Sequence, residues 1–409
     1  VDANEYGYGA LASNWQDIYY NWSESSYQWY NDYAGEASNK GSSGMMLYDG
    51  DWSTNFWGTS WLRLIGTRFK GYSGLEYPNN TSDQYTGCVG GLPDFITEDA
   101  SKKQTPGILK VKWAKETSGY DNWIVPAAKK YRTINSDRSV TENLAAWLSS
   151  WVEEFGVDGF RCDTAKHIQM SEWLKLKNAC NTALAAWRTA HSTETAAAWS
   201  DSFWMTGENY DMGLELSSSW YNNGFDSMIN FSFPKDGSLS SIGNTWKTYA
   251  NTVNSTSNNV LSYISSHDKG LTRSNMINQG TCLLLAPGGV QIYYGDETER
   301  PASVSGEQGW RSQMTFTTSA ATLAHWQKIG TFRNEHVSVG AGSQTDLGSN
   351  TYGRSYTTAG GATDKVVIKI NASGSTSVSV TGFFANGAKV RNHYDGTTAT
   401  VANNAVTFT

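Results

Sequence analysis

Strand-like runs that alternate with helical runs from about residue 138 onward predict an α/β fold built on a parallel sheet. A second observation gives that sheet a direction. Three of the runs are closed by an acid: Asp163 after the run 157–160, Glu208 after Phe203-Trp204-Met205, and Asp268 after the run 260–264. A β/α barrel builds its site from acids at the C-terminal ends of successive strands. The third observation is a count. Five strand-like runs occur here, whereas a closed parallel barrel needs about eight strands. The residues alone therefore leave two architectures open, a barrel lacking its first three strand–helix units and an open sheet.

Taken in order, residues 1–120 show little periodicity. Gly-, Asn- and Tyr-rich loops such as 72–85 surround short apolar stretches such as Trp61-Leu62-Arg63-Leu64-Ile65, which reads as an irregular, loop-dominated module. The next segment, 121–336, is the strand–helix region. Ser139-Val140-Thr141-Glu142 has the pattern of a capping box. Leu144, Trp147, Leu148, Trp151, Val152 and Phe155 then recur at helical spacing, and Gly156 stands where the helix should stop. A strand follows at 157–163, and Trp173, Leu174, Leu176, Ala179 and Leu184 mark the next helix. Further strand-like runs lie at 203–206, 227–231, 260–265 and 290–294. A final helix at 320–333 carries Leu323, Trp326, Ile329 and Phe332 on one face. From 337 to 409 the pattern changes to short alternating stretches, such as 365–371 and 376–381, split by Gly/Ser/Asn turns, which predicts an antiparallel sheet module.

Composition narrows the function. The chain has 409 residues, 39% hydrophobic and 17% charged, with much of the polar surface made of Ser, Thr, Asn and Gly, a dressing common on secreted proteins. A net charge of −7 without a basic cluster excludes nucleic acid and anionic membranes as expected partners. No apolar run approaches the roughly 18 residues of a membrane-spanning helix. The aromatic residues (18 Trp, 22 Tyr, 14 Phe) suit stacking on sugar rings but equally fill cores, so they decide nothing alone. The cysteines are Cys88, Cys162, Cys180 and Cys282; they lack metal-site spacing and permit three pairings, none of which is assigned. Strand alternation turns Cys162 away from Arg161 and Asp163, toward the helices, where a buried free thiol is expected. Three carboxylates after successive strands suit glycoside hydrolysis, which needs a nucleophile, a protonated acid and a group that holds the sugar.

Several segments together resemble the α-amylase family of retaining glycosidases (glycoside hydrolase family 13), most closely its bacterial periplasmic members. Gly159-Phe160-Arg161-Cys162-Asp163-Thr164-Ala165-Lys166-His167 is similar to the family's second signature, Gly207-Glu208 to the third and His267-Asp268 to the fourth. Leu92-Pro93-Asp94 is similar to the fifth, in the module called domain B. Leu283-Leu284-Leu285-Ala286-Pro287-Gly288, Gln291-Ile292-Tyr293-Tyr294-Gly295-Asp296-Glu297 and His325-Trp326-Gln327-Lys328-Ile329 look like the periplasmic group. The similarity runs from about residue 90 to about 345.

The resemblance implies a (β/α)8 TIM barrel, with strands 4–8 in this chain, an irregular domain B over 1–120 and a C-terminal antiparallel β-sheet domain. The family's first signature is missing, so strands 1–3 are expected on a separate or missing segment, with an N-terminal fragment of the same enzyme as a second chain. The implied activity is hydrolysis of α-1,4-glucans such as starch, outside the cell or in the periplasm. Asp163 would be the nucleophile, kept ionised by Arg161 on the same strand face. Glu208 would be the general acid and then the base, and must hold a proton at first. Asp268 would bind the sugar hydroxyls and favour the oxocarbenium-like transition state, with His267 on the same ring. Lys166 and His167 would line the leaving-group side.

The family also implies a calcium ion, for which Asp94 and the backbone carbonyl of His167 match ligand positions. The acidic loop Asp49-Gly50-Asp51 does not follow the EF-hand pattern, since Thr54 and Ser60 stand at its sixth and twelfth positions, and reads as a solvated turn. Asp296 and Glu297 match no catalytic position. Two other functions compete. A transglycosylase would share the chemistry but carry extra C-terminal sheet domains, whereas only about 70 residues follow the last helix here. A non-catalytic glucan binder would not need all three acids.

Overall fold

A computed structural model describes residues 62–65, 76–77, 84–86, 94–103, 105, 136–214, 217–254, 258–316 and 318–408. The expected domain B module, the Asp49–Asp51 loop and Cys88 lie wholly or mostly outside the described residues. The chain divides into two compact units, residues 1–205 with 222–225, and residues 206–221 with 226–409.

In the first unit, β1 (Leu62–Ile65) lies between β2 (Glu76–Tyr77), which it pairs in parallel, and β3 (Asp94–Phe95), which it pairs antiparallel. Helix α1 (Val140–Phe155) begins as its sequence predicts. Glu142 N–H donates to Ser139 Oγ at 3.3 Å, and Ser139 N–H donates to Glu142 Oε2 at 2.7 Å, which satisfies two otherwise orphaned backbone donors. That bond from Ser139, with Lys102 nearby, holds the Glu142 carboxyl below its usual range against the opposing effect of burial. The helix ends at Gly156, which adopts the left-handed conformation (φ 65°) that a residue with a side chain resists. A Cβ there would also lie 2.4 Å from the ring of Trp187.

The apolar residues that mark α1 divide in their burial: Val152 is buried and Leu144 and Trp147 are half-buried, whereas Leu148, Trp151 and Phe155 are exposed, and Ala145, Ser149 and Ser150 are buried as well. Ser149 and Ser150 return their hydroxyls to the carbonyls of Ala146 and Trp147, so small polar residues can be buried where helices pack closely. β4 (Gly159–Cys162) leads into α2 (Met170–Ala190), which buries Trp173, Leu176, Cys180, Ala183, Leu184 and Trp187 at three- and four-residue intervals.

β5 (Trp204–Gly207) contains the boundary between the units. Its first half belongs with β4, since Trp204 N–H donates to Asp158 O at 2.8 Å. Its second half starts the sheet of the second unit. Thr206 and Gly207 pair in parallel with β6 (Ser227–Asn230), β6 pairs with β7 (Asn259–Ser262), and β7 pairs with β8 (Gly289–Val290). The strand order β4-β5-β6-β7-β8 follows the sequence without a reversal. Such an order is what a barrel produces and a doubly wound sheet does not. All four residues of β6 are buried, as expected for a parallel strand covered on both faces.

The expected strand 290–294 is cut short at Val290. Tyr293 and Tyr294 leave the ladder because their hydroxyls hold a later loop, donating to Trp310 O at 3.2 Å and Ser312 O at 2.9 Å.

Helices α3 (Leu239–Thr252), α4 (Met276–Leu284) and α5 (Ala320–Glu335) build the core of the second unit. Trp246 donates its indole N–H to Cys282 O, and Trp326 does the same to Met276 O, both at 2.9 Å. The same core takes in Tyr352, Val366, Ile368 and Ile370 from an antiparallel sheet, β9 (Ser343–Gly348), β10 (Thr351–Thr357) and β11 (Thr363–Lys369), with β10 in the middle. Two antiparallel pairs finish the chain. β12 (Thr376–Ser379) pairs with β15 (Ala405–Phe408), and β13 (Lys389–Arg391) pairs with β14 (Thr398–Thr400). They share a small core of their own around Val380, Val401 and Val406.

Candidate active site

In the first unit, Asp163 directly follows β4. The alternation along that strand buries Cys162 and leaves Arg161 and Asp163 on the other face, where Arg161 Nη1 pairs with Asp163 Oδ1. Burial pushes the Cys162 thiol up to about 12, with neighbouring Cys180 of α2 adding to the effect. Cys162 is thus an inert core residue on the helix side of the sheet.

Thr164, in the left-handed region (φ 48°), turns the chain into a short 3-10 turn, Ala165–His167. Trp173 fixes that turn by donating its indole N–H to Ala165 O at 3.0 Å. Lys166 and His167 sit on it, and the His167 Nδ1–H donates to Gln84 O at 2.9 Å. Asp94 lies on β3 opposite Arg63, and only its backbone is described.

In the second unit, Glu208 directly follows β5 and is only 4% exposed. Asp268 is reached through Tyr263, Ile264 and Ser265, all buried, and a tight turn. Ser266 organises the turn. Its N–H donates to Gly270 O at 3.1 Å, and its Oγ accepts from Asp268 N–H at 3.3 Å and Lys269 N–H at 3.0 Å. Gly270 closes it with φ 88°, and a Cβ there would meet Trp310 at 3.3 Å. His267 Nε2 lies 3.0 Å from Asp268 Oδ2.

Tyr263, five residues before Asp268, buries its phenol. That phenol is pushed up to about 12, chiefly by burial, with the Asp268 and Glu208 carboxylates adding to the rise and Ser266 and Lys269 opposing it.

Three features of this unit were not visible as site elements in the sequence. Arg311 places Nη2 3.5 Å from Asp268 Oδ1. It arrives on the segment 310–312, which the fully buried Arg300 holds by donating to Trp310 O at 2.9 Å and Ser312 O at 3.1 Å. Lys269 pairs with Asp211, three residues beyond Glu208. The third feature concerns Asp296. It is 0% exposed and 2.7 Å from Arg273 Nη1, while Arg273 also donates to Ser265 Oγ at 3.3 Å. Burial raises the Asp296 carboxyl above its ordinary range despite the opposing pull of Ser265 and Arg273. This pair anchors the base of the Asp268 turn. Only the adjacency of Lys269 to the His267-Asp268 motif could have drawn attention beforehand; the other pairs join residues far apart in the chain.

A calcium ion takes about six to eight oxygen ligands. Among the described residues no group of three or more His, Cys, Asp or Glu is placed to hold a metal. Asp94 and the His167 carbonyl would supply two of those oxygens.

The alpha-amylase catalytic-domain family profile matches residues 95–322. The chain is 34% identical over 360 residues to the periplasmic alpha-amylase of Escherichia coli (strain K12), a match that covers 85% of this chain and 49% of that protein. It is 26% identical over 214 residues to the alpha-amylase of Streptomyces lividans, covering 45% of this chain and 21% of that protein. The chain therefore spans about half the length of the first relative, and less of the second. The solved structure of the alpha-amylase from Geobacillus thermoleovorans, complexed with acarbose, superposes with a TM-score of 0.51 at 17% identity, covering 81% of this chain and 66% of that one. That likeness concerns the fold alone. Among the described residues no helix is long and apolar enough to cross a membrane.

Proposed function

The chain belongs to the α-amylase family, whose catalytic domain is a (β/α)8 barrel, and from that membership we propose that it works as a retaining α-1,4-glucan hydrolase on starch and maltodextrins. One observation carries the reading: Asp163, Glu208 and Asp268 each follow the C-terminal end of a separate strand in a sheet whose order is that of a barrel.

Asp163 attacks the anomeric carbon while the bond to the leaving sugar oxygen breaks and Glu208 gives that oxygen its proton. The sugar is then held as an ester of Asp163. Glu208, now a carboxylate, takes a proton from water; the water oxygen attacks the same carbon and Asp163 is released. Arg161 keeps the Asp163 carboxylate oriented and charged through their ion pair. The burial of Glu208 suits an acid that must begin protonated. Asp268, steered by His267 and Arg311, holds the sugar hydroxyls as positive charge develops on the ring. Lys166 and His167 line the leaving-group side.

Calcium is part of the proposal on the resemblance alone. Asp94 and the His167 carbonyl would contribute ligands, and when bound the ion would brace the loops it joins. Three further barrel strands from an N-terminal segment of the same enzyme, and a periplasmic or extracellular location like that of the E. coli relative, complete the reading.

Trapping tests it. An activated fluoro-sugar that accumulates the glycosyl-enzyme should add its mass to the peptide containing Asp163, and Asp163→Asn should abolish both labelling and starch cleavage. Label on another residue, or cleavage that survives the substitution, refutes the assignment. Release of the β-anomer as first product refutes retention.

A further inference from the structure

The residue after Asp268 does something the proposed chemistry has not used. The Lys269 ammonium pairs with Asp211, on the turn that begins with Glu208. It lies 4.3 Å from the ring centroid of Tyr210 and 5.9 Å from that of Phe231. Tyr210 in turn leans on Phe231 at 5.3 Å, just beyond the end of β6. The Glu208 turn is itself clipped down. Met212 N–H donates to Asn209 O, and Phe231 N–H donates to Met212 O, both at 2.9 Å. Asp211 meets the lysine from a left-handed backbone (φ 67°), a conformation that few residues with a side chain adopt. Such an outlier next to a candidate site invites a functional explanation.

We propose that Lys269 is a positioning residue: through Asp211 it ties the turn bearing Asp268 to the turn that follows Glu208, and so sets the separation of the two carboxylates. The inference rests on the roles assigned above to Glu208 and Asp268. The reason is geometric. Each acid stands on its own loop, and a displacement of about 1 Å at a reacting centre can cost roughly a hundredfold in rate. The Asp211 side chain is 64% exposed and that of Lys269 29% exposed, so the pair contributes little to folding. Its worth lies in the relative placement of the loops. Asp211 and Tyr210 raise the affinity of Lys269 for its proton, which keeps the cation in place throughout the pH range of catalysis.

The experiment uses the intact enzyme with a maltooligosaccharide. Lys269→Met should lower kcat by about 10- to 100-fold while KM changes less than about threefold. Its thermal midpoint should stay within about 2 °C of wild type, as expected for an exposed pair. Lys269→Arg, which restores the cation, should recover most of the rate. The double variant Lys269→Met with Asp211→Asn should be no slower than Lys269→Met alone, because both act through one pair. A Lys269→Met kcat within about twofold of wild type overturns the proposal. A rate loss that Arg does not rescue and that tracks a fall in the thermal midpoint also overturns it, by making Lys269 merely structural. Wild-type enzyme unable to cleave any α-glucan defeats the hydrolase reading itself, which no variant is needed to see.

Discussion

Replacing Asp296 with alanine should destabilise the fold by about 3–5 kcal/mol. The carboxylate is 0% exposed, and its partner Arg273, 19% exposed, sits 2.7 Å away. Truncation leaves a guanidinium in a low-dielectric setting without its counter-charge. The native pair is no large asset in itself, because burial already opposes the charge on Asp296. The cost lies in the partner left behind. Asp296→Asn keeps the volume and one acceptor for Arg273, and should lose only about 1–3 kcal/mol. Arg273→Met should be milder than the alanine variant, since an unpaired Asp296 can take up a proton. Urea unfolding followed by tryptophan fluorescence would measure these differences, and a thermal scan should show a drop on the order of 10 °C for Asp296→Ala. Combining Asp296→Asn with Arg273→Met should cost less than the sum of the two. An alanine variant within about 1 kcal/mol of wild type, or strict additivity in the pair, would refute the reasoning.

Other substitutions probe separate parts of the argument. Ser139→Ala removes half of the capping box at the start of α1 and should cost about 1 kcal/mol, visible as a lower thermal midpoint with unchanged unfolding slope in urea. Gly156→Ala should cost about 1–2 kcal/mol for its left-handed backbone, plus about 1–3 kcal/mol for the contact at 2.4 Å with Trp187; a neutral result would mean the helix end relaxes freely. Asp364 sets up a pH dependence. Burial opposes its charge, but bonds from His336 and from the N–H and hydroxyl of Ser338 outweigh burial and hold the carboxyl below its ordinary range. A lowered carboxyl contributes stability that is complete above its unfolded value, about 3.9, and is lost as pH falls through the folded value. Asp364→Asn should therefore melt earlier than wild type at pH 6, with the gap closing below about pH 4; a gap independent of pH contradicts this. Finally, Cys162, Cys180 and Cys282 are buried free thiols pushed up to about 12 by burial, so a thiol reagent that spares them in the folded protein and modifies all three in urea is expected.

Local features translated faithfully from sequence to structure. The capping box at Ser139 and the stop at Gly156 are where the motif places them, because both depend on neighbouring backbone groups and a single φ angle. Glu208 and Asp163 each stand one residue past a strand, as read. The turn of Cys162 toward α2 follows from the two-residue period of a strand. The apolar period of α1 placed the helix correctly, but a period says that a helix has a face and not which neighbour will cover each residue of it. The run 290–294 has strand-forming residues, yet the strand ends at Val290, with one further bond from Gln291 N–H to Ser262 O at 2.8 Å, and two of its tyrosines serve hydrogen bonds to residues 310 and 312.

Short-range sterics and side-chain period are written into the order of residues, so the succession of strands and helices, and the seat of each acid at a strand end, could be read before any coordinates existed. The company those acids keep could not. Arg311 beside Asp268, Lys269 beside Asp211 and Arg273 beside Asp296 join loops whose ends are brought near only by packing of the sheet and its helices. Charge–charge energy depends on distance through space and on burial, and neither exists until the chain has folded.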